Sequence, residues 1–322
     1  MNDIVPGRVA RAPLSIRGLL EKTTLLALLA TAGGFAGSWH WLFELLTHWR
    51  LHLLMALAGL GAVWILQRRP TWAAAACLGV LLNLIPILQA RAWAVAPTAP
   101  APGPILRVLS INVHTLNPHA DRVLHCIREV DPDLVLLMEV DDRWMRQLEP
   151  LGATHPFLQA APRPDNFGIA LWSRLPWTHA EILTLGEAEV PSVAVTLEKA
   201  GRRLCVLGTH PLPPGSAEYA RLRNDQLREV AVWVRAQPAS VMLVGDLNAA
   251  PTSPVFRQLV RDRGLRPVRH PVGRGTWPAS LPLGRIPIDH VLVTPDLRVI
   301  RFEVGPPVGG DHLPIWVELS WP

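Results

Sequence analysis

An α+β domain of packed sheets flanked by helices, set behind three transmembrane helices, is the architecture that this 322-residue sequence predicts. Three observations predict it. Nearly uncharged apolar stretches occupy the first third of the chain, at 23–43, 51–66 and 71–90. Beyond them, short β-rich runs alternate with segments of helical spacing. Run after run then ends in a carboxylate, an amide or an imidazole.

A bilayer core of roughly 30 Å takes ~20 helical residues at about 1.5 Å each. The first and third stretches meet that length, and the second relies on flanking Trp and Arg residues to snorkel. Trp39, Trp41, Trp49, Trp72 and Trp93 cluster at the ends, as interfacial aromatics do. Arg8, Arg11, Arg17 and Lys22 precede the first stretch, and Arg68 and Arg69 separate the second from the third. The positive-inside rule therefore makes 1–22 a cytoplasmic segment and 23–93 a multi-pass anchor, with all that follows outside the cytoplasm. Were the first stretch a cleaved signal sequence, the remaining pair would still deliver the C-terminus outside. Only Lys22 and Lys199 among 31 basic residues are lysines, a bias of GC-rich bacterial genomes, so the expected location is a bacterial inner membrane. Residues 94–104, rich in Pro and Ala, predict a semi-rigid spacer of at most a few tens of Å. The outer domain is 105–322.

The net charge of +5 belongs entirely to the first 103 residues, where eight basic residues face three acids (Asp3, Glu21 and Glu44). The outer domain is neutral, so the high isoelectric point is no argument for a nucleic-acid-binding face. An oxidising compartment would permit a disulfide between Cys126 and Cys205. The helical spacing around the first and the strand around the second favour separate buried thiols. No Cys/His spacing resembles a zinc site.

Within the outer domain, 105–111 alternates as a strand and ends at Asn112. Val123, Leu124, Ile127 and Val130 predict a helix over 119–130. The run 134–138 suits a strand buried on both faces and ends at Glu139. Strands follow at 167–172, 193–197 and 204–208, then a long helix over 216–235. Further strands are expected at 241–245, 288–293, 298–304 and 313–319.

At 241–251 an apolar run closes with Asp246 and Asn248, two residues apart and so on one face of an extended strand. Any single strand-terminal Asp or Asn has a bland reading as a turn or a helix cap. Here Asn112, Glu139, His210, Asp246 with Asn248, Asp289 and the pair Asp311-His312 all recur at such ends. Oxygen ligands without thiolates suit a hard cation, Mg²⁺ or Mn²⁺. Histidines beside carboxylates suit proton transfer or charge neutralisation. No nucleophile elbow and no Walker A loop is present, and this inventory fits metal-assisted attack of water on a phosphate ester.

Seven pieces together resemble the endonuclease/exonuclease/phosphatase superfamily. They are Arg107–Asn112, Asp133–Glu139, Gly168–Arg174, Leu207–His210, Gly245–Asn248, Ile288–Val291 and Gly310–Leu313, in the family's order. The resemblance implies a DNase I-like, four-layer α/β/β/α sandwich with these residues at one rim. It further implies that Glu139 binds metal directly, that Asn112 orients through its amide, and that Asp311 either supports the metal ligands from behind or holds a second metal. Asp246 would hold or deprotonate the attacking water, and Asn248 would grip a phosphate oxygen. His312, its tautomer set by Asp289, would stabilise the transition state, and His210 would contact phosphate or assist the leaving group. The acidic partner of His210 has two candidates, Asp165 and Asn166.

The expected function is a membrane-anchored, metal-dependent phosphoesterase, a phosphodiesterase in the leading reading, with phospholipid and nucleic acid both open as substrate. A nuclease would need a basic track, for which Arg257, Arg261, Arg263, Arg266 and Arg269 are the one local cluster. The complete polar set argues against a catalytically inactive binding module. Nothing in the sequence specifies an oligomeric state.

Overall fold

The computed structural model describes residues 15–99, 105–199, 202–261 and 264–320. Expectations resting on Arg8, Arg11, 100–104 and Arg263 lie outside the described residues. Four helices come first: α1 (Ile16–Gly33), α2 (Trp41–His48), α3 (Arg50–Leu66) and α4 (Pro70–Trp93). The remainder runs β1 (Ile105–Asn112), α5 (Ala120–Val130), β2 (Leu134–Met138), α6 (Asp142–Gln147), β3 (Phe157–Ala161), β4 (Ile169–Ser173), β5 (Trp177–Thr184) and β6 (Pro191–Lys199). It continues with β7 (Arg202–Thr209), α7 (Ala217–Ala236), β8 (Ser240–Asp246), α8 (Pro254–Arg261), β9 (Arg266–Pro267), β10 (Asp289–Val293), β11 (Arg298–Val304) and β12 (Ile315–Ser320).

The expected three spans are not reproduced as three uniform helices. Among the described residues only the segment Ile16–Ala36 and α4 are long and apolar enough to cross a membrane by themselves. The first expected span, 23–43, is broken where Gly33, Gly34 and Gly37 fall close together; its helix instead starts at Ile16, capped by the Ser15 hydroxyl accepting from Gly18 N–H at 3.0 Å. The helix that follows the break, α2, meets α3 at a bend of 65°, and the two reach the length and hydropathy of a span only as a pair. Polar contacts still lock α1, α3 and α4 together. Trp64 Nε1 donates to Thr24 Oγ1 at 2.9 Å, and Asn83 Nδ2 donates to Thr31 Oγ1 at 2.8 Å. The outward faces carry Leu25, Leu26, Leu29, Met55, Ile65, Leu78, Leu81 and Leu88, all exposed. That much bare apolar surface is unusual for a surface in water.

The outer domain is two six-stranded sheets, ordered β11-β12-β1-β2-β4-β3 and β5-β6-β7-β8-β10-β9. Their inner faces share one core, in which Leu136 and Met138 of β2 meet Val193, Val206, Met242 and Val244. On the outer face of the first sheet, Val123, Cys126 and Ile127 of α5 cover Leu109, Ile111, Val135 and Leu137. On the outer face of the second, Leu227, Val230 and Val234 of α7 and Phe256 and Leu259 of α8 cover Cys205, Leu207, Val241 and Leu243. The order of layers is therefore helix, sheet, sheet, helix. Cys126 and Cys205 lie in different outer cores, and both are buried free thiols.

The stretch from residue 94 does not hold the domain away from the helices as a free spacer would. Val95 N–H donates to Pro267 O and Thr98 N–H to Val299 O, each at 2.9 Å, so the chain runs along the domain as soon as α4 ends. Three edge strands, β3, β5 and the two-residue β9, and two short helices of the same domain, α6 and α8, were not expected from the sequence.

Candidate active site

Topology places the polar strand ends on one rim. β1 pairs with β2 in parallel and β7 with β8 in parallel, so Asn112, Glu139, His210 and Asp246 all emerge at C-terminal strand ends. β10 and β12 run antiparallel to these, so the residues at their starts, Asp289 and His312, return to the same rim. Gly245 makes the close approach of β7 and β8 feasible. Its φ is +144°, and a Cβ there would sit 2.1 Å from Thr209 O, so no side chain fits.

Asp246 is the centre of the group. One carboxylate oxygen lies 3.5 Å from His210 Nε2 and 3.5 Å from His312 Nε2, while the other accepts from Asn248 N–H at 2.9 Å. His312 is bonded through Nδ1 to Asp289 at 2.9 Å. Burial would raise the Asp246 carboxyl, but the charge of His312 and the hydrogen bond from His210 overcome it and hold it below its ordinary range. Burial would lower the His312 imidazole, but Asp289 and Asp246 carry it up to about 10. Asp289 is raised, chiefly by burial. His210 is raised because attraction to Asp246 outweighs its own desolvation. One acid with two imidazoles in a dry setting can accept, hold and return a proton.

Glu139 lies beside this group. Asn112 Nδ2 donates to its carboxylate at 2.8 Å and approaches Asp246 at 3.4 Å, while Asn112 Oδ1 accepts from His114 N–H. Thr115 N–H donates to the other Glu139 oxygen at 3.3 Å. Asp311 accepts from Trp277 Nε1 at 3.1 Å through one oxygen, and its other oxygen is buried without a partner. All these carboxylates face one cleft of about 690 Å³, together with Asn248 and both histidines.

Asp246, Asp289 and His312 could share an ion, since one ligand atom of each lies within 4.8 Å of the others. His312 Nδ1 is already committed to Asp289, however, so Glu139 with its hydrogen-bonded Asn112 is the better-prepared hard-cation ligand.

The structure brings Glu139, His210, Asp246, Asn248, Asp311 and His312 to one cleft, with Asn112 hydrogen-bonded to Glu139 and Asp289 to His312 behind them. It does not give His210 either acidic partner that the sequence suggested. Asp165 pairs with Arg163 and is well exposed, whereas Asp246 faces His210 Nε2 and His210 Nδ1 has no partner. Phe167 packs its ring 5.7 Å from the imidazole. Sequence reasoning missed Thr115, which has no distinguishing signal, and Thr276, whose hydroxyl accepts from Asp289 N–H at 3.3 Å.

It also missed the contribution of α2. Leu45, His48 and Trp49 line the cleft beside the polar residues. Glu44 pairs with the fully buried Arg223 of α7 and accepts from Ser253 Oγ at 2.6 Å; Arg223 in turn donates to Asn248 O at 2.7 Å. The signal was present. Glu44 is a lone carboxylate at the edge of an apolar stretch, where an uncompensated charge is costly.

The sequence is 26% identical over 204 residues to Nocturnin of Drosophila melanogaster, covering 51% of this chain and 32% of that protein. The chain thus spans about a third of the length of that relative. In fold it is similar to D. rerio TDP2 complexed with a single-strand DNA product (TM-score 0.57, 17% identity, covering 67% of this chain and 99% of the other). It is likewise similar to a beta toxin variant of Staphylococcus aureus with bound magnesium ions (TM-score 0.55, 18% identity, covering 68% and 100%). The model of the Endonuclease/Exonuclease/phosphatase family matches residues 109–312, well over half of the chain and the whole set of rim residues from Asn112 to His312, and the protein belongs to that family.

Proposed function

We propose that the protein is a membrane-anchored, divalent-metal-dependent phosphoesterase that hydrolyses a lipid-borne phosphodiester outside the cytoplasm. The observation that carries this reading is the composition of the cleft wall. Leu45, His48 and Trp49, from the bent helix pair, form one side, and Phe167, Tyr219, Trp277 and Ile286 add apolar surface. Among the described residues that line the cleft none is Lys or Arg, so they offer a polyanionic strand no phosphate-neutralising track. A single phosphate carried by an apolar tail needs none.

The oxygen-rich donor set fits Mg²⁺ or Mn²⁺. Glu139 would hold it, with Asn112 orienting that carboxylate and the unpartnered Asp311 oxygen available nearby. The ion would supply Lewis-acid stabilisation of charge on the phosphoryl oxygens. Asp246 orients the attacking water and takes its proton. His312, kept protonated by two carboxylates, donates to the developing charge, and Asp289 holds its tautomer. Asn248 uses one amide hydrogen on Pro211 O at 3.0 Å and has the other free for a phosphate oxygen. His210, whose Nε2 faces the same Asp246 oxygen at 3.5 Å, assists the leaving group.

Contacts at the domain-facing end support the topology. Gly34 at the end of α1 adjoins Arg50 at the start of α3, and the start of α3 shares a cavity with the end of α4. Hence α1 and α4 run towards the domain and α3 away from it. At 17 residues α3 is short for a bilayer, and the bilayer would have to thin or its flanking residues snorkel.

The test offers full-length protein in nanodiscs a phospholipid, a soluble aryl phosphodiester and single- and double-stranded DNA, each with Mg²⁺ and with chelator. Metal-dependent cleavage of lipid ahead of DNA is expected. Faster DNA cleavage would remove the lipid assignment, and undiminished turnover in chelator would remove the metal. A reporter fused after Pro322 should be active only outside the cytoplasm.

A further inference from the structure

A second cavity, of about 140 Å³, lies between the helical unit and the outer domain, and His48 lines both it and the catalytic cleft. Its walls come from the start of α3, the end of α4 and the segment from Pro267 to Gly275, with Arg285 and His290 beyond. Among the described residues five arginines line it, Arg50, Arg91, Arg269, Arg274 and Arg285, and no Asp or Glu does. Among the described residues none of these five has a carboxylate partner, whereas ten arginines elsewhere in the chain do. Nε of Arg269, Nε of Arg285 and both ring nitrogens of His270 are buried with no hydrogen-bond partner.

Buried donors without acceptors are costly, and converging guanidiniums repel one another. Evolution tolerates such a group where a ligand supplies the missing acceptors. The guanidinium fork matches a tetrahedral oxyanion, to which it can present two parallel N–H donors. The cavity has room for one, since a single water takes roughly 10–15 Å³ of such space. Its position is at the domain-facing ends of the apolar helices. Val272, Leu281 and Leu283 stand exposed nearby in sequence, Leu283 with 89% of its surface bare.

We propose that this cavity is a second, non-hydrolytic site that binds a phosphate-type oxyanion, carried on an anionic lipid headgroup or free in solution. Among the described residues that line it, none is a carboxylate that could bind a cation, which sets it apart from the catalytic cleft. His270 and His290 lie in the same wall with ring centroids 5.2 Å apart, and burial holds both neutral at ordinary pH, so the arginines carry the positive charge. Because His48 borders both spaces, the bound oxyanion lies next to the catalytic cleft and fastens the helical unit to the outer domain.

The test uses full-length protein with chelator present, which keeps metal out of the catalytic cleft. Thermal midpoints are measured in detergent with sodium phosphate or sodium chloride at matched ionic strength. They are measured again in phosphatidylcholine nanodiscs with and without phosphatidylglycerol. A ligand of the folded state raises the midpoint in proportion to its occupancy. Phosphate or phosphatidylglycerol should raise it by several degrees, and R274Q/R285Q should weaken the apparent affinity at least tenfold. Turnover of a soluble aryl phosphodiester with Mg²⁺ should stay within twofold of the parent in that variant. A shift with phosphate shows that the oxyanion alone suffices, and a shift confined to phosphatidylglycerol assigns the lipid headgroup. Equal midpoints in every condition, or a shift that R274Q/R285Q leaves intact, would overturn the site. Arg274 donates no side-chain hydrogen bond among the described residues, so R274Q alone keeps the test decisive if the double variant does not fold.

Discussion

Asp246 and Asp289 are direct cross-strand partners in the β8–β10 ladder, and one imidazole, that of His312, reaches both carboxylates. Like charges directly opposite each other in a sheet destabilise it. Here the repulsion is offset by a cation that the same two acids keep protonated, with the His312 imidazole held at about 10. The relationship explains why the site can be both dry and charged, and it sets the first two predictions.

Replacing either member of the proton-handling pair should remove chemistry without removing the fold. Asp246→Asn and His312→Gln are expected to lower kcat on an aryl phosphodiester by about 10²–10⁴-fold, the usual worth of a positioned acid or base. Single-turnover kinetics alongside circular dichroism checks this. Near-parental kcat in either folded variant would remove that residue from the mechanism.

The pH dependence of stability follows from the sign of the His312 shift. Its folded value is raised above the ordinary 6.5, so its stabilising contribution is complete below about 6.5 and is lost as pH rises through about 10. In chelator, the thermal midpoint of the parent should fall across that alkaline window more steeply than that of H312Q. Parallel curves would show that the imidazolium does not stabilise the paired carboxylates.

Glu139 should govern metal affinity more than proton transfer. Glu139→Gln is expected to raise the Mg²⁺ concentration for half-maximal turnover by more than tenfold. Asn112→Ala, which deletes the donor orienting that carboxylate, should raise it about 10–100-fold. Metal titrations at saturating substrate separate this from a loss of kcat at saturating metal.

The contact between Glu44 and Arg223 should be the strongest link between α2 and the outer domain. Glu44→Ala leaves a fully buried guanidinium without its charge partner and is expected to cost about 3–5 kcal/mol. Replacing both partners with apolar residues, E44L/R223M, should restore most of that stability. Turnover should be lowered in Glu44→Ala as well, because Arg223 also holds the backbone of Asn248 through a 2.7 Å bond. Denaturant unfolding of E44L, R223M and E44L/R223M, with Glu44→Ala alongside, measures the coupling.

The central strands were legible because they are buried on both faces. β2 spans 134–138 as expected, and β8 differs from the expected 241–245 by one residue at each end. The edge strands β3 and β5 were not, because their residues are half-buried and mixed in character, with Gln159, Thr178, His179 and Glu181 interrupting any alternation. Glycines at 33, 34 and 37 foreshadowed the break that divides the first apolar stretch, but hydropathy averaged over a window conceals it.

By itself the sequence determined which polar residues end the strands and the family they mark. Strand ends with these donors in this order are a family signature, since residue type and strand periodicity are local properties. Two facts belonged to the tertiary structure alone. Parallel and antiparallel pairing decided that six strand ends share one rim, which pairs Asp246 with two histidines instead of giving His210 a separate acid. The packing of α2 against α7 decided that the apolar helical unit forms a wall of the cleft, beside a cavity of unpaired arginines. Contacts between residues far apart in the chain carry no periodic signature, so only the folded chain could reveal them.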